Sequence, residues 1–408
     1  MEQLNQLFIR DQNLKRVYQE ICSTKGSSRA SAARKLSLSK ASLSSLADEL
    51  IADNLVTEKG KKAKAGAGRN PVMLAPKEDT NFIVSVLWKN GCVEGYIIDI
   101  ASGSAWRQDS VGRLLLTVDN PEDYASVALE CAKRLTAKLE SAQRMLGTVM
   151  IIPGIVDPAR EQILSYPLDI TEDIGYQIIQ DLMKNHSDEN ICLMNDTAAL
   201  AYGEKFLNHW KDPDFFYVNF AVGIGSVFYM HGKPLEDATG RQTQFGHIVI
   251  NPNGPLCECG SRGCLEALIG EKAVRKRWEL IFRENGKMKL GEGNYYRVLR
   301  EKAENKDIEA VAAMNEIESL FSWALSNVVT VIYPQRVIVG GSGYELGDTF
   351  LENVKRKVQE IGYSYMVRDL QISYSKADRD IIYRAGAQYA FDTHYNFTQK
   401  SLQGLHLG

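Results

Sequence analysis

No stretch of this 408-residue chain approaches the roughly 18 consecutive apolar residues that a membrane-crossing helix requires. The opening MEQLNQLFIRD has neither a basic n-region nor an apolar h-region, so the expected location is the cytosol, with no membrane partner. A disulfide framework is excluded as well: the cysteines are Cys22, Cys92, Cys131, Cys192, Cys257, Cys259 and Cys264, an odd number, and only the last three cluster. No short tandem repeat is evident, and net charge is small at −3. What is present is the composition of an ordinary globular protein, 44% hydrophobic and 24% charged, with length for two or three domains. The charge is unevenly placed. Through Ala75 there are 13 Lys and Arg against 7 Asp and Glu, leaving 35 against 44 in the remainder. A basic head on an acidic body points to a polyanion partner for the head alone.

Within residues 12–24, Leu14, Val17, Tyr18 and Ile21 share one helical face. Ser27 or Ser28 caps a short second helix through Leu36, and Ser39 caps a third over 40–53, whose buried stripe is Leu43, Leu46, Leu50 and Ile51. This pair is a helix-turn-helix candidate that leaves Lys40, Ala41, Ser42 and Ser45 facing outward, able to enter a major groove. Strands at 55–57 and 71–74 flank KGKKAKAGAGRN and make a wing carrying Lys59, Lys61, Lys62, Lys64 and Arg69, charge suited to phosphate or a narrow minor groove. Arg29, Lys40, Ser42, Ser45, Lys62 and Arg69 are the DNA-contact candidates. A solvated linker is the alternative for the basic loop, and a protein-interaction module for the helix pair.

A composition break at 75–81 precedes an alternating α/β pattern: strands FIVSVLW and VEGYIIDI, a third at SAWRQDSV, a helix around 120–142 and the strand GTVMIIPG. A second set follows, with strands FFYVNFAVG and SVFYMHGK, long helices at about 263–284 and 307–330, and RVIVGGSG. Strand-strand-Gly patterns at 82–99 and 215–233 look alike, and two similar lobes suggest a central cleft. The strongest local signal is GHIVINPNGPLCECGSRGCLE, in which Cys257, Cys259 and Cys264 follow His247. One imidazole and three thiolates match a closed, structural tetrahedral zinc site, and Gly254, Gly260 and Gly263 let the loop fold back upon the ion.

That segment, with MNDTAALAYGE at 194–204 and IIPGIVD at 151–157, resembles the ROK proteins, a family of repressors and sugar kinases. The resemblance covers about residues 82–395 and implies an α/β chain: an N-terminal winged helix-turn-helix followed by a two-lobed, actin-like, sugar-kinase-like (ribonuclease H-like) fold. It divides the chain into a DNA-binding domain at 1–75, a first lobe at 82–194 plus about 381–395, and a second lobe with the zinc site at 195–380.

By that resemblance, Gly154, Asn195, Asp196, Gln244, His247 and Glu266 contact the sugar, with Asp196 at the position of the kinases' general base. A helix N-cap is the compatible bland role for Asn195-Asp196. Two departures stand out. Gln244 occupies the place of a sugar-binding Glu, which makes an anionic sugar phosphate more tolerable. The kinases' Asp-x-Gly-Gly-Thr-Lys phosphate loop is replaced by Leu87-Trp88-Lys89-Asn90-Gly91-Cys92, so no kinase activity is expected. Gly340-Gly341-Ser342-Gly343 is either a phosphate acceptor or a strand-end turn. The implied function is a sugar-responsive repressor that binds a double-stranded DNA operator and a sugar or sugar phosphate, as a homodimer or homotetramer. The alternatives are a ROK-type sugar kinase with an accessory head and a scaffold for a protein partner.

Overall fold

The computed structural model describes residues 2–24, 26–61, 72–106, 111–157, 162–208, 210, 214–235, 243–284 and 295–402. They form two compact units, Met1–Ala199 with Asp380–Gly408, and Leu200–Arg379. The first unit opens with α1 (Glu2–Ser23), which begins ten residues earlier than its buried face, Leu14, Val17, Tyr18 and Ile21, requires. The short strand β1 (Ser27–Ser28) leads into α2 (Arg29–Leu36), where the Ser28 side chain accepts from the Ser31 amide. Ser37 ends that helix in the left-handed conformation, φ 56°, and Ser39 accepts from the Ser42 amide at 3.0 Å to start α3 (Lys40–Ala52). Two serine caps within twelve residues are what makes the turn between the helices tight. The strands β2 (Val56–Lys61) and β3 (Val72–Pro76) pair antiparallel, with β1 on the other edge of β3. The wing tip, with Lys62, Lys64 and Arg69, lies outside the described residues.

The strands β4 (Asn81–Lys89) and β5 (Cys92–Asp99) make a hairpin, and β6 (Ser104–Ala105) and β7 (Arg113–Thr117) pair with β5. After α4 (Tyr124–Thr136), β8 (Arg144–Ile152) enters parallel to β4. A small hairpin of β9 (Ile155–Asp157) and β10 (Gln162–Leu164) and the helix α5 (Glu172–Glu189) lead to β11 (Ile191–Asn195), parallel to β8. β11 runs directly into α6 (Asp196–Leu207). Residues 146–152 of β8 are all buried, the mark of a central strand covered on both faces.

In the second unit β12 (Phe215–Phe220) and β13 (Ile224–Met230) form a hairpin extended by β14 (Lys233–Pro234). The helix predicted at about 263–284 is two helices, α7 (Leu265–Ile269) and α8 (Glu271–Glu284). Gly270 separates them with extended backbone, and the Glu271 amide leaves the helical pattern to donate to the Ala221 carbonyl at 3.0 Å. Then come α9 (Tyr295–Glu304), α10 (Ile308–Ile332) capped by Asp307, β15 (Arg336–Gly340), α11 (Asp348–Ile361), α12 (Ser364–Val367) and β16 (Gln371–Tyr374). The sheet order β14-β13-β12-β15-β16 joins an antiparallel hairpin to two parallel strands, as β5-β4-β8-β11 does in the first unit. Phe220 and Phe321 stack at 5.0 Å in its core.

The chain closes in the first unit with α13 (Ile381–His394) and a hairpin of β17 (Tyr395–Asn396) and β18 (Ser401–Leu402). This end ties the winged head down. Tyr18 of α1 packs on Phe391 and Phe397 with ring centroids 5.3 and 6.0 Å away, Asp11 accepts from the Phe397 amide at 2.7 Å, and Lys400 pairs with Asp53. The segment 75–81, polar in sequence, is bonded to the head as well: Lys77 N donates to the Leu55 carbonyl and the Asn81 amide side chain to the Asn54 carbonyl.

Candidate functional site

The three cysteines and the histidine converge. His247 ends a 3-10 turn, Phe245–His247, and Cys257, Cys259 and Cys264 lie on a loop whose strands bridge at Val249–Cys264 and Leu256–Arg262. Gly263, at φ 69°, is required: a Cβ there would lie 1.5 Å from the Asn251 carbonyl oxygen. All four ligand atoms lie within 4.8 Å of one another, with His247 Nδ1 3.6 Å from Cys257 Sγ and Cys259 Sγ 3.7 Å from Cys264 Sγ. Ligands at about 2.3 Å on a tetrahedron stand about 3.7 Å apart, so the cluster has the dimensions of a metal cage. It is also joined to its surroundings. α7 starts immediately after Cys264, and in its first turn Glu266 Oε2 accepts from the Ile224 amide at 2.7 Å. Gly223 makes room for that carboxylate, since a Cβ there would meet Oε2 at 2.6 Å. Gln244 is exposed, just before the 3-10 turn.

In the first unit, the end of β11 presents Asn195 and Asp196. Asn195 is a bridge: its Oδ1 caps α6 by accepting from Ala198 N at 3.0 Å, and its Nδ2 donates to the Gly154 carbonyl at 2.5 Å. Gly154 sits at φ 119°, where a Cβ would come within 2.3 Å of the Leu164 carbonyl. Asp196 Oδ1 accepts from the Thr197 amide at 2.7 Å, and burial pushes its carboxyl up to about 6. The cap reading of the pair is what these bonds show: Asn195 caps α6 and Asp196 is its first residue.

The β4–β5 turn is closed upon itself. Lys89 pairs with Cys92 across a two-residue turn, the Gly91 amide donates to Tyr124 Oη at 3.1 Å, and that phenol donates to the Lys89 carbonyl at 2.7 Å. Trp88 stacks on the Tyr124 ring at 5.2 Å. The turn's amide is thereby committed to a side chain, and two large rings fill the space beneath it. Beside it, the buried Glu94 accepts from Tyr383 Oη at 2.6 Å and pairs with Lys89 and Arg113. Sequence reasoning found the altered loop but missed Tyr124, which lies 33 residues from Gly91.

On the head, Lys40, Ser42 and Ser45 are exposed on the first turns of α3. Arg29 is differently placed. Its guanidinium binds Asp48 at 2.6 Å, Glu58 at 3.0 Å and the Ser44 carbonyl at 3.1 Å, so it braces α3 against the wing strand. Lys62 and Arg69 fall outside the described residues.

The ROK family matches residues 116–381. The chain belongs to the ROK family. The xylose repressor of Bacillus subtilis (strain 168) is 25% identical over 368 residues, covering 90% of this chain and 91% of the repressor. A solved ROK family transcriptional regulator, described as a homolog of the E. coli MLC protein, superposes with a TM-score of 0.79 at 19% identity, covering 96% of this chain and 98% of its own. The ROK hexokinase from Thermus thermophilus superposes at 0.60, also at 19% identity, over 76% of this chain and 98% of its own. The ROK fold is thus shared with kinases and regulators alike, and the regulator matches nearly the full length. Among the described residues no helix is long and apolar enough to cross a membrane.

Proposed function

We propose that this ROK protein is a sugar-responsive transcriptional repressor that has no kinase activity. The observation that supports the proposal is the closed β4–β5 turn on a chain that also bears a winged head: in the stretch that stands for the kinases' phosphate loop, the Gly91 amide is already bonded to Tyr124, whose ring stacks on Trp88. Phosphate binding by backbone amides needs those amides free and the approach open. The candidate contacts for a sugar or sugar phosphate are Gly154, Asn195 and Asp196 of the first unit and Gln244, His247 and Glu266 of the second. D-xylose is the first effector to try, because the relatives include xylose repressors. Lys40, Ser42 and Ser45 of α3 and Lys62 and Arg69 of the wing face the operator, and two copies of the chain read a palindrome.

His247, Cys257, Cys259 and Cys264 hold a structural zinc. Their separations fit it, and the donor set is a closed one. The metal supplies rigidity, fixing His247 and the start of α7, and hence Glu266, in one frame. Within the first unit, the sugar-facing Asn195 ends a strand that packs on α13, and Phe391 of α13 touches Tyr18 of the head. The effector must favour one state to act: moving 1:99 to 99:1 takes about 5.5 kcal/mol of differential affinity.

The test is fluorescence anisotropy of duplex DNA from upstream of the protein's own gene, titrated with pentoses, hexoses and their phosphates. Release of the duplex by one sugar, with no ATP turnover in a coupled assay, is the expected outcome. Sugar phosphorylation at catalytic rates, or indifference of DNA binding to every sugar, would overturn the reading.

A further inference from the structure

A sugar ring presents hydroxyls at its edge and C–H bonds on its faces, so polar groups alone bind only part of it. Gly154, Asn195 and Asp196, the first unit's candidate contacts, are suited to the edge. What adjoins them is set by the β9–β10 hairpin. Its register pairs Val156 with Ile163 and Ile155 with Leu164, which brings Gly154 opposite Ser165: a Cβ on Gly154 would stand 3.0 Å from Ser165 Cα. Side chains alternate between the two faces of such a ribbon. Ile163 and Ser165 are fully buried and Val156 packs on the core, whereas Ile155 and Leu164 are half-buried on the other face. Tyr166 continues that outer row, one residue or about 3.8 Å of chain beyond Ser165, and is 37% exposed. The backbone around it is fixed. Ser165 and Ile170 exchange both amide bonds, at 3.1 and 2.9 Å, and Leu168 N adds a bond to the Ser165 carbonyl at 3.2 Å. Buried Ser165, Leu168 and Ile170 pin the loop on either side of an exposed aromatic ring, so its backbone is ordered before anything covers that ring.

We infer that Tyr166 is the stacking platform of the effector site: its ring covers one C–H face of the sugar whose edge is held by Gly154, Asn195 and Asp196. The inference rests on the reading of those three residues as sugar contacts. Chemistry favours an aromatic ring at this place. The face of the tyrosine ring carries partial negative charge, and the C–H bonds of a sugar, polarised by the oxygen on each carbon, carry partial positive charge. Both surfaces are broad and flat, and joining them removes apolar area of each from water. Ile155 and Leu164, on the same face of the hairpin, extend that apolar surface. The ligand class that follows is a monosaccharide with one ring face formed by C–H bonds alone.

The experiment is isothermal titration calorimetry of the full chain with D-xylose, D-glucose, N-acetyl-D-glucosamine and D-glucose 6-phosphate, with thermal midpoints as the folding control. Wild type is compared with Tyr166→Phe, Tyr166→Leu, Tyr166→Ala and Asn195→Ala. Wild type is expected to bind at least one of the four. For that sugar Tyr166→Phe should stay within about threefold, because the ring remains, while Tyr166→Ala and Tyr166→Leu should each lose about tenfold, the size of an aromatic contact. Midpoints of the three Tyr166 variants should match wild type, since the residue is exposed. A tyrosine that only supported the fold would not separate phenylalanine from leucine in affinity at a constant midpoint. Wild-type affinity in a folded Tyr166→Ala, or equal affinities of Tyr166→Leu and Tyr166→Phe, would overturn the inference. Silence of the wild type towards all four sugars would defeat the sugar-contact reading and the platform with it. Binding lost in Asn195→Ala but kept in Tyr166→Ala would defeat the platform alone.

Discussion

Asp196 is the residue whose surroundings have the clearest chemical consequence. Its carboxyl is raised from 3.8 to about 6 by burial, so the folded state holds a proton that the unfolded chain has released. Stability therefore falls as pH rises from about 4 to about 6 and is flat above, a difference of about 3 kcal/mol for two pKa units. Urea midpoints between pH 4 and 7 should show that decline in wild type and lose it in Asp196→Asn; parallel profiles would contradict it. Sugar binding should run the other way, weakening below pH 6 as the acceptor carboxylate is protonated. Arg29 supplies a second test at this scale. Paired with Asp48 and Glu58, it should act by positioning α3, so that Arg29→Ala weakens DNA binding with the salt slope unchanged and costs less than about 1 kcal/mol of stability. Arg69→Ala, by contrast, should reduce the slope by about 0.9, the share of one phosphate contact. A slope loss for Arg29→Ala in the same titrations would return it to the groove. In the metal cage, Cys259→Ser should abolish stoichiometric zinc in elemental analysis, because three ligands no longer close the shell.

At the scale of elements, the C-terminal hairpin β17–β18 holds the head to the rest of the first unit. Phe397 is 1% exposed within the cluster of Tyr18, Phe391 and Tyr395, and its amide bonds to Asp11. Truncating a buried phenylalanine costs about 3–5 kcal/mol. Phe397→Ala should therefore let the head melt before the rest, visible as a second calorimetric transition and a DNA affinity no longer sensitive to sugar. One transition at the wild-type temperature would show that the hairpin is dispensable. Local signals foretold the helices of the head well, since serine caps and a 3.6-residue stripe are encoded within a dozen residues. They failed at Gly270, where a helix-compatible pattern is broken by a bond from Glu271 N to Ala221 O, a partner fifty residues away.

For the molecule as a whole, the closed β4–β5 turn predicts indifference to nucleotide: isothermal titration with Mg·ATP should give no binding heat, and a micromolar affinity would refute it. The sequence by itself determined the basic head, the grouping of one histidine with three cysteines, the alternation of strands and helices, and the glycine-poor stretch at 87–92, because each is written in residues close together along the chain. Only the tertiary structure decided that Tyr124 bonds the β4–β5 turn, that Arg29 pairs with Asp48 and Glu58, that Asn195 spans from α6 to Gly154, and that residues 391–400 return to clasp α1. Those contacts join segments tens to hundreds of positions apart, and a pairing of that kind exists only once the sheet has brought its ends together.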